Sequence, residues 1–76
     1  MLKQGDILTL EDDKEYVVVD TTVMNDIVYV YLMNSTDYSN FMFCSYDQTD
    51  GLYEVEDQET LDSLIKIFNY QLNEQQ

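Results

Sequence analysis

From Ile27 to Met33 every residue is apolar or aromatic, and this stretch limits the folds open to the chain more than any other. A strand sends alternate side chains to opposite faces. Val28, Val30 and Leu32 would therefore line one face, and Ile27, Tyr29, Tyr31 and Met33 the other. Phe41 to Tyr46 repeats the pattern, with Met42, Cys44 and Tyr46 opposed to Phe41 and Phe43. A sheet built on such strands needs cover on both sides, because apolar area left in water forfeits roughly 25 cal/mol per Å².

The flanking sequence says what cover is at hand. Asp6 to Leu10, opened by Gly5, reads as a strand, as do Glu15 to Thr22 and Leu52 to Val55. The predicted strands thus span 6–10, 15–22, 27–33, 41–46 and 52–55. Their connectors are short and polar: Glu11 to Lys14, the pair Asn25-Asp26, the loop Asn34 to Asn40, and Asp47 to Gly51 with its Asp-Gly turn signal. Parallel neighbours need a crossover of about a dozen residues or more, so the runs form an antiparallel meander. After Asp57 the period changes. Leu61, Leu64, Ile65, Phe68 and Leu72 make one helical stripe, which predicts a helix over 58–73. Asp57 suits the N-cap, Glu59 and Asp62 sit near the positive end of the helix dipole, and Lys66 lies further along. The tail Asn73 to Gln76 is expected to fray.

One helix cannot cover two faces of a five-stranded sheet. Either the sheet curls into a partly open barrel, or a second copy or a partner covers the remaining face. The expected fold is α+β and mainly β: a single domain over residues 1–76, a five-stranded antiparallel meander curled into a partly open barrel, with one C-terminal helix packed on one face.

Sixteen Asp and Glu stand against three lysines (Lys3, Lys14 and Lys66), with no Arg and no His, for a net charge of −13. Because 45% of residues are hydrophobic, the chain holds enough apolar surface to fold despite that charge. Direct nucleic-acid or anionic-membrane binding is excluded, since both need clustered Lys and Arg. The start, MLKQGDILTL, lacks a signal-peptide run, and no apolar stretch approaches the roughly 20 residues that span a bilayer. Cys44 is the only cysteine, which rules out an intrachain disulfide and suits a reducing compartment. A cytoplasmic location is expected, and the Asn34-Ser35-Thr36 match to a glycosylation acceptor reads as a loop.

The absence of His removes the commonest general base and metal ligand, and leaves Cys44 without a partner to form a thiolate. Carboxylate pairs occur at Glu11, Asp12, Asp13 and Glu15 and again at Glu54, Glu56, Asp57 and Glu59, but in so acidic a chain pairs arise without design. Asp47-x-Thr49-x-Gly51 misplaces the glycine of a calcium loop and has Gln58 where its bidentate Glu belongs. No enzyme activity, no cofactor and no metal site is expected. What remains is a surface of acids and tyrosines, suited to Lys or Arg of a basic protein partner through ion pairing and cation–π contact. The candidate partner surface comprises Tyr29, Tyr31, Phe43 and Tyr46 with Asp12, Asp13 and Glu15. The expected function is that of an acidic protein-interaction module. The alternatives are a self-associating structural protein, such as a homodimer using an apolar sheet face, and a nucleic-acid mimic that inhibits a DNA-binding or defence protein.

One likeness adds to this reading. Gly5-Asp6-Ile7-Leu8, Leu10-Glu11-Asp12-Asp13, Glu15 to Asp20, Val28 to Leu32, and Leu52 to Asp57 leading into Leu61-Asp62-Ser63-Leu64 and Phe68 together resemble the small acidic YrzB-like proteins, a bacterial domain-of-unknown-function family. The loop Asn34 to Asn40 and the abundance of tyrosine depart from that pattern. The resemblance implies a cytoplasmic bacterial or mobile-element protein and brings no catalytic residues with it.

Overall fold

The computed structural model describes residues 2–74. One antiparallel sheet follows chain order through β1 (Ile7–Thr9), β2 (Glu15–Met24), β3 (Ile27–Asn34), β4 (Phe41–Asp47) and β5 (Gly51–Glu54), and helix α1 (Gln58–Glu74) follows it. The sheet curls into a half-barrel. Asn73 and Glu74 belong to the helix rather than to a frayed tail; Gln75 and Gln76 lie outside the described residues. The β2–β3 hairpin turns on Asn25 and Asp26, both at positive φ (54° and 65°), as a two-residue primed turn requires. Met24 and Ile27 then pair directly across it.

The two apolar faces are covered in two different ways. Tyr16, Val18, Val30, Leu32 and Cys44 form one core, flanked by Leu8 and Leu10 from β1 and its following turn, Met42 and Tyr46 from β4, and Leu52 from β5. Val30 and Leu32 are both 0% exposed, so the curl closes this face without a second chain. Tyr29, Phe43, Leu64 and Phe68 form the other core beneath α1, flanked by Met24, Tyr31, Val55 and Leu61. There the Phe43 and Phe68 rings stack 5.6 Å apart at 4°, and Tyr31 lies 5.0 Å from Phe43.

A bulge lets β2 serve both cores. Val18 pairs with Leu32 and Asp20 with Tyr31, which leaves Val19 as an extra residue without a partner across the ladder. The side-chain alternation shifts by one at that point. Tyr16 and Val18 therefore face the concave core with Leu32, while Asp20, Thr22 and Met24 share the helix face with Tyr31, Tyr29 and Ile27. The bulged β2 runs to Met24, two residues beyond the expected strand, whereas β1 is shorter than expected at both ends.

Helix α1 is fixed at both ends. At its start, Asp57 Oδ2 accepts from the Thr60 hydroxyl (2.7 Å) and the Thr60 N–H (2.9 Å), which satisfies an orphan donor of the first turn. These two bonds hold the Asp57 carboxyl below its usual range. Toward its end, Gln71 Nε2 donates to Asp20 Oδ2 (2.9 Å) and to the Thr21 carbonyl (3.0 Å). The helix buries Leu64 and Phe68, an i, i+4 pair, and leaves Ile65 44% exposed. Ile65 is thus a rim residue and not part of the buried stripe, because one position along a helix is a rotation of about 100°.

Candidate functional site

A meander with an odd number of antiparallel strands has two edges that run the same way, here β1 and β5. The curl brings these edges to either side of a seam in the half-barrel. Hydrogen bonds fix which backbone groups face it. Val18 N–H donates to the Asp6 carbonyl (2.8 Å) and Leu10 N–H to the Lys14 carbonyl (3.1 Å). Because bonding to one neighbour alternates along an antiparallel strand, Ile7 and Thr9 turn their N–H and C=O groups away from β2, toward the free edge. On the other side, Val55 N–H donates to the Phe43 carbonyl (2.8 Å), so Leu52 and Glu54 present theirs to the free edge of β5.

Between the edges lies a cavity of about 650 Å³. Leu10, Glu11 and Asp12 line it from the β1 end, Asp50, Leu52 and Glu54 from β5, and Met42 and Cys44 from the sheet beneath. Its floor is apolar and its rim is acidic. Glu54 stands directly across from Cys44 in register, on the same concave face. Burial pushes the Cys44 thiol up to about 11, with the Glu54 carboxylate adding to the effect, so the sulfur stays protonated at neutral pH and behaves as a small apolar group.

The structure divides the predicted partner surface among three places. Tyr29 and Phe43 are buried beneath α1 and Tyr31 is half-buried there, so these rings are core and not a docking surface. The physical reason is that their face of the sheet is the one the helix covers. Tyr46 packs on the opposite, concave core. Asp12, Asp13 and Glu15 stay exposed near the β1–β2 turn. Asp12 is committed to that turn, with Oδ1 accepting from Lys14 N–H (3.0 Å) and Oδ2 from the Tyr16 hydroxyl (3.2 Å). Asp13 occupies the left-handed conformation there, at φ 61°.

The predicted loop after β3 is likewise occupied with itself. Asn34 Oδ1 accepts from Thr36 N–H and hydroxyl (both 2.9 Å) and from Asp37 N–H (3.1 Å). The Ser39 hydroxyl and N–H hold the Asp37 carboxyl below its ordinary range. Among the described residues no group of three or more His, Cys, Asp and Glu is arranged to hold a metal ion. No helix among them is long and apolar enough to cross a membrane.

Leu10, Met42, Leu52, Glu11, Asp50 and Glu54 are seam residues outside the predicted partner surface, although Glu11 and Glu54 stand among the carboxylate pairs of the sequence. A usable signal was present: a five-run meander must leave its first and last runs unpaired, and both carry inward leucines beside acids. No family model matches the chain, and no curated protein or solved structure matches it.

Proposed function

We propose that this protein is a non-catalytic, acidic interaction module of the bacterial cytoplasm that binds a basic protein partner. One observation carries the reading: the apolar opening between the two sheet edges is rimmed by Glu11, Asp12, Asp50 and Glu54, in a chain of net charge −13. An acidic rim around an apolar floor gives a basic partner both steering and buried contact, and it repels nucleic acid and other acidic surfaces. Self-association through an apolar sheet face is less well supported, because the centres of both faces are buried within the chain.

The test is affinity capture from the native host followed by calorimetric titration of each purified captured protein. The expected result is a 1:1 complex with a protein of high isoelectric point, with affinity that weakens as salt rises but persists near physiological ionic strength. A captured set without basic character, or binding indifferent to salt, contradicts the proposal. Binding of a DNA-binding protein in competition with its DNA would assign the module to the nucleic-acid mimics.

A further inference from the structure

Resting on the basic-partner reading, we infer that the seam takes up one extended segment of the partner as a sixth strand, antiparallel to both β1 and β5. Four observations converge on this mode of binding. The edges run in the same direction, so one strand of opposite direction pairs with both in the antiparallel sense. The backbone of Ile7 and Thr9 on β1, and of Leu52 and Glu54 on β5, faces outward with ladder groups to offer. A cavity of about 650 Å³, lined by Thr9 and the turn after it on one side and by β5 on the other, lies within the roughly 300–1,000 Å³ range of ligand-binding pockets. Finally, Glu54 projects on the concave face, where a closed barrel calls for an apolar side chain.

Glu54 decides which occupant fits. An inward-facing charge on an edge strand discourages pairing with another copy of the same chain, and each copy here carries −13. The same carboxylate offers a countercharge to a Lys or Arg on the inserted strand. Period-two alternation then sets the rest of the segment. On its inward face, an aliphatic side chain covers Leu52 and Met42, and the cations two residues away on either side meet Glu54 and the acids at the seam's ends. β1 and β5 span three and four residues, so pairing extends over a short core segment and the flanking charges supply the remaining affinity.

The test uses two blocked peptides of identical composition added to the full chain. KTVTKTK places Lys-Val-Lys-Lys on one strand face, and TTTVKKK has the same charge without the alternation. Binding is followed by amide NMR and hydrogen exchange. The expected result is saturable 1:1 binding of KTVTKTK, with new protection of the Leu52 and Glu54 amides and of Ile7 and Thr9. The shuffled peptide, and KTVTKTK added to Glu54→Lys, should each bind about tenfold more weakly. Glu54 is exposed on an edge strand, so the variant is expected to fold, and a thermal melt checks this.

Equal binding of both peptides without new amide protection would overturn strand addition and leave the basic-partner reading intact. Failure of both peptides and of long polylysine to bind would overturn both. Protection of the same amides at high protein concentration without peptide, together with faster sedimentation, would identify the occupant as a second copy and refute the inference.

Discussion

Replacing Gln71 with alanine isolates the contact that ties the end of α1 to the sheet. The Gln71 amide nitrogen donates to Asp20 Oδ2 at 2.9 Å and to the Thr21 carbonyl at 3.0 Å. Asp20 is only 7% exposed, and after the substitution it keeps the Thr21 N–H bond (2.9 Å) and loses its other partner. A hydrogen bond to a charged group contributes about 1.5–3 kcal/mol, and the better helix propensity of alanine returns only a few tenths. The expected loss is therefore about 1.5–2.5 kcal/mol, against a total of about 4–11 kcal/mol for a domain of this size. With a urea slope near 1 kcal/mol per molar, the midpoint should fall by about 1.5–2.5 M. Gln71→Glu should be worse still, since it sets one carboxylate against another. Urea titration by far-UV circular dichroism measures both variants, and a double-mutant cycle with Asp20→Asn separates the pair's coupling from its separate effects. A Gln71→Ala midpoint within 0.5 M of the parent, with an unchanged slope, would show that water replaces the amide and that this end of the helix is not held by it.

Phe68→Ala removes the ring that stacks on Phe43 and should cost about 3–5 kcal/mol, enough to unfold much of the population, while Phe68→Leu should retain a cooperative melt at lower temperature. With −13 net charge the melting temperature should rise as salt is added at low ionic strength; a flat response would mean that repulsion is not a significant term. Native protein should resist thiol reagents at neutral pH. Because folding raises the Cys44 pKa from 9.0 to about 11, the folded state holds a proton the unfolded state gives up in that window, so stability should fall as pH rises from 9 to 11. Cys44→Ala should flatten that dependence if the thiol is its source. The Asp57 carboxyl has a lowered pKa, so its capping contribution is present above the ordinary value of 3.8 and is lost as pH falls below it. Asp57→Ala should accordingly lower the melting temperature at neutral pH and have little effect in strong acid, as read by thermal melts at both pH values.

What was legible in the sequence is what depends on local chemistry. Asn25-Asp26 announces its own turn because few residue types tolerate positive φ at two successive positions, and the Leu61, Leu64, Phe68 spacing sets the helix without reference to the sheet. The bulge was hidden. In Glu15-Tyr16-Val17-Val18-Val19-Asp20 four consecutive apolar residues leave the odd one unmarked, and only the pairing with Leu32 and Tyr31 reveals it as Val19. For the same reason nothing in the run marks Asp20 as the residue that the register shift turns under α1. The tyrosines of β3 suggest a surface because their polar tips suit one. Which face the helix takes is a tertiary matter, and the helix takes theirs. The seam is the least local feature, since it exists only where residues of the first and last strands are brought together by curling.

Bulge, curl and helix together cover two apolar faces with a single chain, but they leave the sheet open between β1 and β5, and the acids gather where it stays open. Those acids repel one another in the free protein and favour opening of the short edge strands. A basic strand in the seam would supply the missing ladder bonds and the countercharge in one step, so under the strand-addition proposal binding and stability are the same free energy seen from two sides. A ligand present at 100 times its Kd stabilises the native state by about 2.7 kcal/mol, a large share of the about 4–11 kcal/mol available to a domain of this size. Salt screens the rim repulsion and also weakens the partner's attraction. Added salt should therefore raise the melting temperature of the free chain while narrowing the gap between free and bound, a converging pattern that neither a charge-indifferent fold nor a purely apolar docking site would produce.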